Sequence, residues 1–139
     1  MSTEALIDPD EYQAPETYAR FVEDLKRSAT AAGKPIIDPT LFARALSMEL
    51  QALAADAHVH RVTLSRAQGS EKLQGFLREA LQVLRVATDI NGDFRHALFW
   101  FRNEPIGTFD YRTPEQLVSQ GKAQDLVRYL QALKAGAVG

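Results

Sequence analysis

The sequence predicts an all-α fold, and three observations predict it. Apolar residues recur at helical spacing along most of the chain, and residues that can cap a helix, two of them followed directly by proline, stand before the periodic stretches. No stretch alternates apolar and polar residues as a half-buried strand does. No internal repeat or low-complexity segment interrupts the pattern.

Bulk composition narrows the class. At 139 residues the chain holds one compact domain or two small helical units sharing a core, and 45% hydrophobic against 24% charged residues argues against wholesale disorder. A net charge of -2 means that any nucleic-acid contact must come from a local patch. Residues 1–39 carry eight acids against four bases, whereas residues 40–78 carry five bases (Arg44, Arg61, Arg66, Lys72, Arg78) against three acids, so phosphate contacts are expected in the middle. The absence of cysteine excludes disulfides, thiolate nucleophiles and Cys-ligated zinc, and fits a reducing compartment. No apolar run approaches the roughly 20 residues of a membrane span, and the acidic start MSTEALIDPDEY is unlike a signal peptide. A cytoplasmic protein without a membrane partner is expected.

Taken in order, the first dozen residues read as a mobile tail. Tyr18, Phe21, Val22 and Leu25 then mark a helix expected to end near Gly33, ahead of Pro35. Asp38-Pro39 is an N-cap followed by an N1 proline, which starts a second helix through Leu41, Phe42, Ala45 and Leu46. Two short periodic pieces follow, Leu50 to Ala57 and His60 to Ala67. After Gly69 and Ser70 comes the strongest pattern, Leu73, Phe76, Leu77, Ala80, Leu81, Leu84, Ala87 and Ile90, widened by Val83 and Val86, so this long helix should pack on two sides. Asn91-Gly92 closes it, and Asp93 caps a helix through Phe94, Ala97, Leu98, Trp100 and Phe101. A loop from Asn103 to Arg112 leads to Thr113-Pro114-Glu115, a short helix that stops at Gly121, and a last helix through Leu126, Val127, Leu130 and Leu133.

The stretch LQALAADAHVHRVTLSRAQGS, Leu50 to Ser70, has the spacing of a helix-turn-helix. Leu53, Ala54 and Ala57 would face inward, Val59 would plug the joint, and Leu64 and Ala67 would seat the second helix. Ala54 is small where a larger side chain would hold the helices apart. His60, Arg61, Thr63, Ser65 and Arg66 would then face outward, as residues that meet base edges and phosphates must. The competing reading is two short core helices with solvated polar faces. His58 and His60 form an H-x-H pair, but without a third histidine or a cysteine nearby a metal site is not expected; a solvated turn or a DNA-facing imidazole is.

The residues from Lys72 onward add a second pattern: a long helix ending in ATDINGD, then HALFWFRNEPIGTFDYRTPEQLVSQGKAQDLVRYLQALKAGAVG from His96 to Gly139. An aromatic block, a T-P-x-x-L-V helix start, a glycine and a final helix with a small-residue tail resemble the toxin-binding domain of the Xre/MbcA/ParS family of antitoxins. The segment before it is similar to the family's Xre-like helix-turn-helix, so the resemblance covers about Asp38 to Gly139. At Ala67 the chain departs from the tryptophan that many Xre-like motifs carry there. The resemblance implies residues 38–70 as a DNA-binding unit and residues 71–139 as a toxin-binding and dimerisation domain, with residues 1–37 an N-terminal tail and helix outside it. It implies a homodimer that neutralises a RES-domain, NAD-consuming toxin and represses its own operon by binding operator DNA. By position, the tail Ala135, Gly136, Ala137, Val138 and Gly139 would reach the toxin's active-site entrance. A small uncharged segment can enter a narrow pocket without burying an unpaired charge.

Phe99, Trp100 and Phe101 cannot all face one core, because three adjacent helical positions span about 200° of the surface. Trp100 is the expected partner contact, with an internal two-sided core as the competing reading. Arg102 is expected as a phosphate or carboxylate contact, at the toxin in the family reading, or else as a cap for its own helix. Nucleophile-elbow, P-loop, dinucleotide and H-E-x-x-H motifs are all missing, so no catalysis and no cofactor are expected. The alternatives to an antitoxin are a stand-alone DNA-binding regulator with no toxin and a protein-binding module with a degenerate helix-turn-helix.

Overall fold

The structure, a computed structural model, describes residues 8–28, 30–31 and 34–136. Eight α-helices lie among them: α1 Tyr18–Ser28, α2 Pro39–Ala45, α3 Leu50–Ala57, α4 Thr63–Arg66, α5 Glu71–Asn91, α6 Phe94–Asn103, α7 Pro114–Ser119 and α8 Ala123–Lys134. The only strands among the described residues, β1 Thr30–Ala31 and β2 Lys34–Pro35, pair antiparallel over two residues each. The fold is all-α apart from this small hairpin.

Local chemistry fixes most helix starts. The carboxylate of Asp38 accepts from the Thr40 and Leu41 amides, and Pro39 fills the first helical position, where no amide donor is required. Ser70 caps α5, Asp93 caps α6, and Thr113 closes a reciprocal capping box with Gln116 ahead of α7. At the other end of α5, Gly92 takes φ +83°, a conformation that ends the helix and costs a residue with a Cβ.

Helix α5 is the axis of the molecule. Ten of its 21 residues are buried, with Leu73, Leu77, Val83 and Leu84 fully enclosed. Burying each such side chain contributes about 1.5–3 kcal/mol, several times what helix propensity supplies per residue, so tertiary packing holds this helix. It packs against α6 and α8 on one side and against α3, α7 and α1 on others, which is why its apolar stripe is so wide. A single buried cluster runs from Phe21 to Leu130 and joins all three predicted segments of the chain.

Two expectations for the N-terminal region are corrected. Residues 8–12 do not behave as a free tail: Pro9–Glu11 form a 3₁₀ turn capped by Asp8, Asp10 pairs with Arg44 at 2.9 Å, and the Tyr12 hydroxyl donates to Asp24 at 2.7 Å. Residues 1–7 lie outside the described residues. Helix α1 stops at Ser28, ahead of the expected Gly33, and the hairpin follows. Lys34 precedes a proline and so is pushed to extended backbone, which favours the hairpin over further helix.

Candidate functional site

The proposed helix-turn-helix is only half regular. Helix α3 has the expected limits and buries Leu53, Ala54 and Ala57. His58 then turns the chain with left-handed backbone (φ 60°), and Val59 packs half-buried against the core. The second helix, expected over His60 to Ala67, is a single turn, Thr63–Arg66. Leu64 seats it, but Ala67 is exposed and non-helical, contrary to its expected packing role. The physical reason lies at Gln68, whose side-chain amide donates to the Leu64 carbonyl at 2.8 Å. In a longer helix that carbonyl would receive the residue-68 backbone amide.

Of the residues expected at DNA, His60, Arg61, Ser65 and Arg66 are exposed and Thr63 is half-buried. Neither Arg61 nor Arg66 forms an ion pair among the described residues. Both guanidinium groups can therefore meet a phosphate at no cost in broken salt bridges. His58 is exposed at the turn, and its Nε2 lies 2.8 Å from the Ser119 carbonyl at the end of α7, so the imidazole is tethered within the chain. Among the described residues no group of three or more His, Cys, Asp or Glu is arranged to hold a metal.

On the other half of the molecule, α5, α6 and α8 leave a groove of about 150 Å³. Its apolar wall is Ala87, Ile90, Ala97, Trp100, Leu130 and Leu133, and Asn91 and His96 supply polar atoms. Ile90 and Leu133 are each more than a third exposed, which is unusual for aliphatic residues within an otherwise buried stripe. The aromatic trio divides three ways. Phe101 is fully buried, Trp100 is half-buried in the groove wall, and Phe99, 58% exposed, points to a separate surface beside Ala45 and Arg95.

Arg102 has a different setting from either expectation. Its Nε donates to Glu115 Oε1 at 2.8 Å and its Nη1 to the Ser47 carbonyl at 3.0 Å, so it ties α6 to α7 and to the turn after α2. The end of α6 is closed instead by Asn103, whose Nδ2 donates to the Phe99 carbonyl. Two of the donors that Arg102 would offer a toxin carboxylate are thus already engaged within the chain.

Glu115, only 8% exposed, has a second neighbour in Asp56 of α3. Burial, then the hydrogen bond to Glu115 and its charge, push the Asp56 carboxyl up to about 8, and Arg102 opposes the shift. Asp56 Oδ2 is sealed from solvent and faces no donor if both carboxyls are ionised; one proton between them supplies the missing bond. Sequence reasoning missed this pair. Glu115 reads as an ordinary first-turn acid beside a proline, and nothing local to Asp56 signals a partner 59 positions away.

Helix α8 contributes Leu130 and Leu133 to the groove. Helix α8 ends at Lys134, and Ala135 and Gly136 are exposed, Gly136 with φ +76°. Ala137, Val138 and Gly139 lie outside the described residues. Among the described residues no helix is long and apolar enough to cross a membrane. No protein-family model, curated protein or solved structure matches the chain.

Proposed function

We propose that this chain is the antitoxin of a type II toxin-antitoxin system: a cytoplasmic homodimer, not an enzyme, that binds and inhibits a RES-domain, NAD-consuming toxin and represses its own operon. The reading rests on the sequence resemblance over Asp38 to Gly139. One structural observation supports it further: the groove lined by Ile90, Trp100 and Leu133 stands open on the C-terminal half, and α8, which carries Leu133, ends at Lys134. Aromatic and aliphatic side chains half-exposed in a concave site are what a buried protein contact uses as anchors. In this reading the groove holds the toxin surface while Ala135 to Gly139 reach its catalytic opening.

The DNA contact belongs to Arg61 and Arg66, with His60, Thr63 and Ser65 beside them. A four-residue α4 presents about 6 Å of helix, which positions side chains at the phosphate backbone better than deep in a major groove. That observation favours, as a second reading, a toxin-binding module in which the helix-turn-helix no longer reads sequence.

Co-expression with the product of the adjacent reading frame, followed by pull-down and a growth assay, tests the proposal. Capture of a RES-domain protein with rescue of growth is expected. A chain that shifts operator DNA yet captures no toxin would instead be a stand-alone regulator, and one that does neither would end both readings.

A further inference from the structure

The joint between α3 and α7 brings the half-buried Asp56 against the buried Glu115, and several donors nearby are engaged elsewhere. Arg102 spends Nε on Glu115 and Nη1 on the Ser47 carbonyl. The Ser119 hydroxyl donates to the Asp56 backbone carbonyl at 2.8 Å, and His58 Nε2 is engaged by the Ser119 carbonyl at 2.8 Å. Lys72 and Glu79 of α5 line the same cleft as Asp56 and His58, but neither forms an ion pair with Asp56. Asp56 Oδ2, where α3 meets α7, is sealed from solvent and accepts no hydrogen bond, with the Glu115 carboxyl beside it and Arg102 near enough to act on its charge.

We propose that Asp56 and Glu115 share a single proton, and that this proton fastens α3 to α7 so that the joint loosens when it is lost. Two carboxylates cannot occupy one desolvated site without repulsion, whereas a carboxylic acid donating to a carboxylate satisfies both. Arg102 fixes where the proton lies: its guanidinium sits on Glu115, so the proton is carried by Asp56. The inference concerns the joint alone and holds whether or not a toxin binds.

The sign follows from linkage. In the unfolded chain the Asp56 carboxyl ionises near the usual carboxylate value of about 4, and in the folded chain near about 8. Its contribution is therefore complete below the unfolded value and is lost as pH rises through that window, after which it levels off. The titratable and charged groups facing the pair are Glu115 on α7, Arg102 on α6, His58 after α3, and Lys72 and Glu79 on α5.

The test compares the wild type with Asp56→Asn, whose amide reproduces the donated hydrogen bond but cannot ionise. Relative to the variant, the wild-type folding equilibrium constant should fall by up to about tenfold per pH unit between about 5 and about 8 and then run parallel. With the intrinsic rise of amide exchange with pH divided out, protection in α3 and α7 should fall over the same range in the wild type only. A wild-type-to-variant difference that is constant with pH would overturn the proposal. Should Asp56→Asn fail to fold, the carboxyl carbon of Asp56 can be titrated by NMR in the wild type. A midpoint well above the carboxylate range is expected, and a midpoint near about 4 would refute the shared proton.

Discussion

Gln74 and Ile37 exchange two hydrogen bonds: the Ile37 amide donates to Gln74 Oε1 and Gln74 Nε2 donates to the Ile37 carbonyl, each at 2.9 Å. A side-chain amide thereby stands in for a strand partner, and its Nε2 also donates to the Gln68 carbonyl. Both residues are buried, so no water replaces these bonds. Gln74→Ala should cost about 2–4 kcal/mol, because it strands more than one buried backbone group. Urea unfolding measures it, and a loss below about 0.5 kcal/mol would show that the neighbourhood re-pairs without Gln74.

Ala54 lies at the contact between α3 and its neighbours, 4% exposed. Ala54→Leu should destabilise the fold by about 1–3 kcal/mol through overpacking, and should displace α4. Thermal unfolding with amide spectra of residues 59–68 checks both effects; unchanged spectra would mean that α4 is seated by Leu64 alone.

Arg61 and Arg66 are exposed and form no ion pair among the described residues, so replacing both with Ala should leave the melting temperature nearly unchanged. Operator binding should vanish together with its dependence on salt. If the double variant shifts DNA as the wild type does, the phosphate contacts lie elsewhere.

Trp100→Ala removes part of the wall between α6 and α8. Since the ring is half-buried, a stability loss of about 1–2 kcal/mol is expected, less than for a fully enclosed aromatic. Complex or dimer formation should weaken well beyond that loss, whereas Phe99→Ser, on the other surface, should spare the complex. Size-exclusion chromatography and calorimetry distinguish the two, and equal effects would deny the groove a special role.

Removing residues 135–139 should abolish toxin inhibition while leaving the fold intact, because α8 is already complete at Lys134. A truncated chain that still rescues growth would refute inhibition by the tail.

What the sequence made legible is what depends on near neighbours. The caps at Asp38, Ser70, Asp93 and Thr113 act over two or three residues, and the wide stripe on α5 follows from periodicity alone. The limits of α3 were readable for the same reason. The rest depends on side chains brought from afar. Gln74 finds Ile37 37 positions back, Arg102 finds Ser47 55 positions back, and His58 finds Ser119 61 positions on. The shortening of α4 is local by contrast, since Gln68 offers its side chain to a carbonyl four residues back that its backbone was expected to serve. Of the candidate site, exposure of Arg61 and Arg66 agrees with their outward placement, whereas the internal commitments of Arg102 were invisible to spacing.

Helix α5 has a consequence for traffic on the molecule. Its first turns, at Lys72, Phe76 and Glu79, abut α3, and its last turns, at Ala87, Ile90 and Asn91, form one side of the groove. Twenty-one residues make a strut of roughly 30 Å. If the proposed nucleic acid were held at one end and the proposed polypeptide at the other, they would be kept a domain's width apart, and binding one would not evict the other.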